Sequence, residues 1–317
     1  MADALRALPV LLALAGAVVV PERAWSQSFT LSGGADVRYT HDTNPSDDKT
    51  EIRGLFLNLR KVWSDELGDR WIGVAQADVD DNLKNVRPYQ IYLQYKGPLG
   101  HCNLRGGLFL LPFGLLATYD TERLLLQGLE EQSLGIRKDS GLQVLGFAGR
   151  FDYAVAVTGG GGERRLSDRR ADPVLTARVA YVKDDWQIGF SLLGGRPLPE
   201  AGSDTSSRPP RKRRLALDLT RLAGPLTVRA EAVAGDDEGR SVGGGVVLAD
   251  LALGGAVELN SRFAVWRQDQ TQRTAGVGVS YRLGRGFVIR VAHQRQINNG
   301  GPSESTLQFY YDFSRQI

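Results

Sequence analysis

Alternation between apolar and polar residues is the feature that most limits how this chain can fold. In Phe29–Tyr39 the odd positions hold mainly apolar residues and the even positions mainly polar ones, and the same alternation returns in Leu226–Glu231 and Leu307–Ser314. A period of two puts every second side chain on one face of a β-strand. No comparable stretch after residue 26 keeps a helical period, so the sequence predicts an all-β protein.

Sixteen segments carry this alternation. The predicted strands cover 28–40, 51–63, 71–80, 88–97, 101–111, 139–148, 151–158, 173–182, 186–195, 213–221, 226–234, 241–251, 256–267, 274–283, 287–296 and 306–316. Strands of roughly ten residues are long enough to cross a bilayer at a tilt.

The predicted connections are sorted by length. Connections that follow even-numbered strands are mostly short, as at Gly149-Arg150, and those that follow odd-numbered strands are mostly longer, as at Pro112–Lys138. Such sorting collects the short turns at one end of a closed barrel, which is typical of outer-membrane barrels and has no counterpart in a soluble β-sandwich. The predicted fold class is therefore a transmembrane antiparallel β-barrel of about 16 strands.

The first 26 residues have the features of a cleaved secretory signal peptide. Arg6 supplies a positive charge, Leu8–Val20 is apolar but short for a membrane span, and Ala24-Trp25-Ser26 offers small residues for cleavage. A membrane anchor is the alternative interpretation. The predicted organisation is a signal peptide at 1–26 and a barrel at 27–317, in which 113–138 folds inward as a constriction loop. Export together with an even strand number predicts a location in the bacterial outer membrane.

Composition excludes several other classes of protein. One cysteine rules out a multi-cysteine metal cluster, and 39 basic against 36 acidic residues leave no surplus suited to nucleic acid. The mean hydropathy of −0.23 is too polar for a helical membrane protein.

His41 beside Asp42 is typical of a polar loop pair, and no Gly-x-Ser-x-Gly motif is present. The sequence therefore predicts no catalytic residue, no metal, no cofactor and no enzymatic activity.

Two short motifs flank the longest connection. Gly106–Gly114 ends in Pro-Phe-Gly, and Arg137–Gly141 opens the following strand. Their order and separation resemble the phosphate-selective porin O and P family of outer-membrane porins, whose sixteen strands also match. The resemblance implies a porin in which this connection narrows the channel. The connection lacks the lysine cluster that the family carries there, which does not favour phosphate selectivity.

The alternation also predicts which residues line the lumen. The constriction-loop residues are Pro112, Phe113, Gly114, Asp120, Glu122, Arg123, Glu130 and Glu131. The basic candidates facing an anion are Arg38, Arg60, Lys96, Arg105, Arg178, Arg229, Arg262 and Arg290. The acidic candidates are Asp36, Asp78, Asp218, Glu231 and Asp312. This mild basic excess favours anions weakly, and pairing of the charges across the wall is the alternative.

The functional prediction is a porin, a passive diffusion channel for small hydrophilic solutes or ions with a weak anion preference. A barrel that sheathes a partner electron-transfer protein and an outer-membrane barrel enzyme are the alternatives. The expected partners are outer-membrane lipid and lipopolysaccharide and the solutes themselves. The sequence leaves a monomer and a homotrimer as alternatives. The basic run Arg208–Arg214 could bind lipopolysaccharide phosphates, attract anions to the mouth, or form a solvated loop without a specific partner.

Overall fold

The barrel is built from sixteen strands. The computed structural model describes residues 26–43, 48–66, 68–80, 85–121, 123–162, 172–198, 209–298 and 301–317. The strands are β1 (Ser26–Asp42), β2 (Lys49–Asp65), β3 (Gly68–Asp80), β4 (Asn85–Lys96), β5 (Asn103–Leu110), β6 (Lys138–Ala148), β7 (Phe151–Thr158), β8 (Asp172–Lys183), β9 (Trp186–Arg196), β10 (Lys212–Ala223), β11 (Leu226–Asp237), β12 (Arg240–Ala252), β13 (Val257–Arg267), β14 (Thr271–Gly284), β15 (Phe287–Gln296) and β16 (Ser303–Gln316). All sixteen predicted strands are present, and the predicted fold class is confirmed. The predicted signal peptide, apart from Ser26, lies outside the described residues.

Every strand pairs antiparallel with its two neighbours, and β1 pairs with β16 to close the barrel. The closing register runs through Val37 opposite Phe309 and Thr30 opposite Gln316. Closure leaves no open strand edge, so every strand satisfies its backbone hydrogen bonds within the wall. Among the described residues, no helix is long and apolar enough to cross a membrane.

The connections fall into two sets. The turns that follow even-numbered strands lie at one end of the barrel, which we call the short-turn end. At this end two residues connect β6 to β7, β8 to β9 and β10 to β11. We call the other end the long-loop end. Its longest connection is 111–137, whereas β11–β12 and β13–β14 are joined by only two and three residues.

The fifth strand is shorter than predicted. The sequence predicts a strand from 101, but β5 begins at Asn103. Pro98–Gly100 form a 3₁₀ turn in which Leu99 has a φ of 55°. Pro98 has no N–H to donate to a ladder, and the reversal of the chain needs a left-handed residue, so pairing starts only after this turn.

The outer wall carries an apolar belt. Leu217 is 58% exposed, Val277 62% and Phe190 40%, although all three lie in regular strands. So many exposed apolar side chains on adjacent strands fit hydrocarbon, not water. Near the short-turn end, aromatic residues lie opposite each other in register, as Trp63 opposite Trp71 and Trp71 opposite Tyr95. Amphipathic rings at this level fit a membrane interface.

Candidate functional site

The lumen is partly filled by the connection between β5 and β6, residues 111–137, which we call the inserted loop. Its apolar residues form a hydrophobic core with inward-facing residues of β8–β13. The loop contributes Leu111, Phe113, Leu116, Leu129, Leu134 and Ile136. The wall contributes Val174, Leu193, Ala216, Val233, Val242, Val246, Leu248, Ala264 and Trp266. These side chains exclude water from that side of the barrel.

The wall fixes the start of the inserted loop through two hydrogen bonds. The Gly114 N–H donates to Ser191 Oγ at 3.0 Å, and the Leu115 N–H donates to Glu231 Oε2 at 2.6 Å. Gly114 has a φ of +52°, and a Cβ on it would lie 2.1 Å from Glu231 Oε2. Only glycine fits this position, because it accepts the left-handed backbone and the close carboxylate.

The middle of the inserted loop is held by arginine contacts. Arg123 donates to Asp78 at 2.9 Å, and its guanidinium lies 3.5 Å from the centroid of the Phe56 ring. The Arg229 guanidinium lies 3.8 Å from the Tyr119 ring centroid. Burial is the main cause that raises the pKa of Tyr119 to about 12, so this phenol stays neutral at neutral pH. The ring therefore offers Arg229 a neutral π-face.

The end of the inserted loop contains a buried charge cluster. Arg137, whose side chain is 2% exposed, donates to Glu130 at 2.8 Å. Glu130 also accepts a hydrogen bond from Thr121. Arg214 donates to the Ser133 carbonyl and Lys212 to the Leu134 carbonyl, each at 2.9 Å. These contacts satisfy carbonyls that the loop's short helical turn leaves open.

The predicted constriction-loop residues differ in their surroundings. Pro112, Phe113 and Gly114 are buried, and Asp120 accepts a hydrogen bond from Tyr89. Glu131 is the most open of the described loop carboxylates, with 54% of its side chain exposed. Glu122 lies outside the described residues.

Seven of the eight basic candidates line cavities inside the barrel, and Arg60 lies on the face of β2 that carries Phe56, the ring that Arg123 of the inserted loop contacts. Four of them form ion pairs with carboxylates: Arg38–Asp36 at 2.7 Å, Lys96–Asp69 at 3.5 Å, Arg178–Asp218 at 2.6 Å and Arg229–Asp250 at 2.6 Å. Two others hold the inserted loop, because Arg262 donates to the Gln127 carbonyl at 2.5 Å and Arg290 to the Arg123 carbonyl at 3.4 Å.

The last two candidates have no carboxylate partner among the described residues. Arg105 donates to Gln94 Oε1 at 2.8 Å, and its guanidinium lies 4.4 Å from the Tyr92 ring centroid. Arg60 is exposed, in register opposite Thr30 and Val74. Arg60 and Arg105 are therefore the two basic candidates that contact neither a carboxylate nor the inserted loop, and Arg262 and Arg290 also have no carboxylate partner among the described residues.

Sequence reasoning missed the loop anchors. Lys212 and Arg214 belong to the basic run for which the sequence left lipopolysaccharide binding, attraction of anions to the mouth and a solvated loop as alternatives, yet both reach inward to loop carbonyls. The alternation that continues from them through Ala216 and Asp218 was the available signal, because every second residue of β10 faces the lumen. Asp250, the partner of Arg229, was missed as well.

Three cavities adjoin the inserted loop; one of about 320 Å³ is lined by the loop residues Tyr119 and Leu124 with Arg229 of the wall, and the other two lie on opposite sides of the loop. The larger, of about 1120 Å³, lies toward the short-turn end and is lined by Arg105, Tyr92, Gln143 and the loop residue Thr118. The smaller, of about 360 Å³, lies toward the long-loop end and is lined by residues that include Arg38, Glu131, Arg262 and Glu304. The loop lines both cavities and forms the partition between them.

Solved structures of similar shape were found, although no family model matches the chain and no curated protein matches it in sequence. An anion-selective porin from Comamonas acidovorans is 13% identical, with 91% of this chain and 100% of that chain covered and a TM-score of 0.67. The fold is that of a porin barrel. Salmonella typhi OmpF in complex with daunomycin is 10% identical, with 90% and 97% coverage and a TM-score of 0.65. OmpT of Vibrio cholerae is 9% identical, with 93% and 99% coverage and a TM-score of 0.67.

The porin-type fold bears on two sequence predictions. The predicted bacterial outer-membrane barrel is confirmed, since the closed wall, its apolar belt and the porin structures agree. The prediction that the chain has no enzymatic activity is contradicted. The similar structures include OmpT, a name also carried by an outer-membrane protease. A porin-type barrel therefore does not exclude enzymatic activity for this chain.

Proposed function

We propose that this porin-type barrel is a passive diffusion channel for small hydrophilic solutes or ions, with a weak preference for anions. The observation that carries the proposal is the lumen itself, which keeps cavities on both sides of the inserted loop, with the half-buried Arg105 on the wall of the larger one, and leaves Arg60 exposed. An unpaired guanidinium in a narrow passage lowers the energy of an anion. The preference is weak because four of the other basic residues are neutralised by carboxylates.

The inserted loop is proposed to set the narrowest point of this channel. Its polar contacts reach β3 through Asp78, β13 through Arg262 and β16 through Gln308. A chain segment attached to opposite parts of the wall reduces the free cross-section more than a loop that lies along one side. The carboxylate of Glu131 opposes the anion preference at this level.

A relationship to the phosphate-selective porin O and P family is supported by the structural roles of both motifs. Gly114 of the first motif makes the close approach to Glu231, and Arg137 of the second forms the buried pair with Glu130. Asp139 accepts hydrogen bonds from the Gly160 and Gly162 N–H groups. Each motif thus fixes one end of the inserted loop, but the described part of the loop carries no lysine that would favour phosphate.

The proposal extends to export and assembly. A signal peptide at 1–26 delivers the chain to the periplasm, the short-turn end faces the periplasm, and the long-loop end faces outward. The trimer form named for one OmpT structure supports a homotrimer. Chemical cross-linking of the purified protein tests this assembly, and a band at three times the monomer mass is expected.

Removing the charges of Arg60 and Arg105 tests the origin of the anion preference. We expect Arg60→Gln with Arg105→Gln to shift the reversal potential in a salt gradient toward cation preference, more strongly at low than at high salt, because screening weakens fixed charges. Arg229→Gln with Asp250→Asn is the matched control, because it removes one charge of each sign. An unchanged reversal potential in the first variant would refute the assignment to Arg60 and Arg105.

A further inference from the structure

The larger cavity offers a single positive charge that the protein does not neutralise. Arg105 lines it and contacts no carboxylate within the described residues. The other three basic side chains that line the cavity form ion pairs: Lys96 with Asp69 at 3.5 Å, Arg70 with Asp65 at 2.7 Å and Arg178 with Asp218 at 2.6 Å. Asp152, exposed beside the β6–β7 turn, also lines the cavity and repels a second negative charge. The cavity therefore suits an anion with one negative charge.

The contacts of the Arg105 guanidinium leave one of its edges free. Gln94 lies opposite Arg105 in the register of β4 and β5, and its Oε1 accepts hydrogen bonds from Arg105 Nε at 3.1 Å and from Nη2 at 2.8 Å. The Tyr92 ring covers one face of the guanidinium, with 4.4 Å between its centroid and Cζ. Within the described residues, Nη1 has no hydrogen-bond partner. The edge formed by Nη1 and Nη2 can therefore donate two parallel hydrogen bonds to a carboxylate.

Two buried amides beside Arg105 have oxygens without partners. Gln143 lies opposite Arg105 on β6 and is 4% exposed, and its Oε1 has no hydrogen-bond partner within the described residues. Asn103 lies two residues from Arg105 on the same face of β5, and its Oδ1 likewise has no partner there, although its Nδ2 donates to the Gly100 carbonyl at 3.0 Å. Both residues line the larger cavity.

An amide oxygen without a partner favours a ligand that brings a donor. Leaving a buried acceptor unsatisfied is unfavourable, and a hydroxyl group that donates to it removes this cost. The terminal torsion of a glutamine is soft, so the Gln143 amide can turn toward a solute in the cavity. Hydroxyl groups therefore fit beside the carboxylate that the free edge of Arg105 accepts.

We propose that Arg105, Gln143 and Asn103 form a binding site for a small monocarboxylate that carries several hydroxyl groups, which is the chemistry of a sugar acid. The proposal rests on the proposed diffusion channel and names the class of solute that the channel holds on its way through. The carboxylate pairs with the free edge of Arg105, and hydroxyl groups donate to the two amide oxygens. The cavity, of about 1120 Å³, exceeds the roughly 300–1,000 Å³ of most small-molecule pockets, so the solute can enter, bind weakly and leave.

Isothermal titration calorimetry with sodium gluconate tests this site on the purified mature protein in detergent, without requiring conductance. Acetate carries the same charge without hydroxyl groups, and sorbitol carries hydroxyl groups without the charge. At constant ionic strength, the wild type is expected to bind gluconate about tenfold more tightly, or more, than either probe. Equal affinity for gluconate and acetate would overturn the role of the amides, and equal affinity for gluconate and sorbitol would overturn the role of Arg105.

Two single variants separate the contributions to gluconate binding. Arg105→Gln should weaken gluconate binding about tenfold or more and leave sorbitol binding unchanged, because only the carboxylate loses its partner. Gln143→Leu should weaken gluconate binding and leave acetate binding unchanged. The control Arg282→Gln removes one positive charge from the lining of the cavity of about 320 Å³ and should bind gluconate as the wild type does. Equal loss in Arg105→Gln and Arg282→Gln would show a general effect of charge and overturn the site.

Conductance measured on the same preparations separates this inference from the proposed function. Conductance steps in a wild-type protein that does not bind gluconate would overturn the sugar-acid site and leave the diffusion channel standing. Gluconate binding that follows the expected pattern of variants, in a protein without conductance, would support the site and overturn the diffusion channel.

Discussion

Deletion of residues 116–134 is expected to raise the single-channel conductance several-fold. The deletion removes the part of the inserted loop that contacts Asp78, Arg262 and Gln308, but it leaves the hydrogen bond between Leu115 and Glu231. The free cross-section of the lumen then increases, and with it the number of ions that pass at one time. Planar-bilayer recordings of purified protein measure this change directly.

A matched variant distinguishes the effect of lost packing from the effect of removing the loop segment 116–134. Leu116→Ala, Leu129→Ala and Leu134→Ala remove core volume while the polar anchors of the inserted loop remain. Each buried leucine truncation costs about 2–5 kcal/mol of stability, so this variant should unfold earlier than the wild type but conduct much less than the deletion variant. Unchanged conductance in a deletion variant that still shows heat-modifiable migration on gels would show that another element forms the constriction.

Asp218→Asn is expected to lower the free energy of unfolding by about 3–5 kcal/mol, because it leaves a buried guanidinium without its counter-charge. The Arg178 and Asp218 side chains are 6% and 1% exposed and meet at 2.6 Å across the strand between them. That strand carries Gly189 at the crossing point, and a Cβ there would lie 2.2 Å from Asp218 Oδ2. Chemical denaturation followed by tryptophan fluorescence measures the change.

The double variant Arg178→Met with Asp218→Leu serves as the control for this pair. Replacement of both partners leaves no uncompensated charge, so most of the lost stability should return. In the single variant the unpaired Arg178 should also shift the reversal potential toward anions, since it lines the larger cavity. An unfolding midpoint for Asp218→Asn equal to that of the wild type would contradict the importance of this pair.

The wall of the barrel could be predicted from the sequence because its determinants are local. Alternation within each strand decides which face meets lipid, and the turn residues between strands decide where pairing stops. The start of β5 was misplaced only because the turn at Pro98–Gly100 extends two residues further than the alternation indicates. The even strand count and the sorted connections then require closure.

The partners of the inserted loop could not be predicted in the same way. Leu115 and Glu231 are 116 residues apart in sequence, and Arg123 and Asp78 are 45 apart. Such pairs depend on barrel closure and strand tilt, which bring distant strands to the same level, and no local pattern records them. For the same reason the sequence could assign Arg229 to the lumen but could not identify Asp250 as the residue that neutralises it.

Conductance of the purified wild-type protein in planar bilayers tests the central claim most directly. Folded protein should insert as discrete conductance steps in potassium chloride, with a reversal potential in a salt gradient that shows a small anion preference. A preparation that keeps heat-modifiable barrel migration on gels but gives no conductance steps in any salt would contradict a diffusion channel.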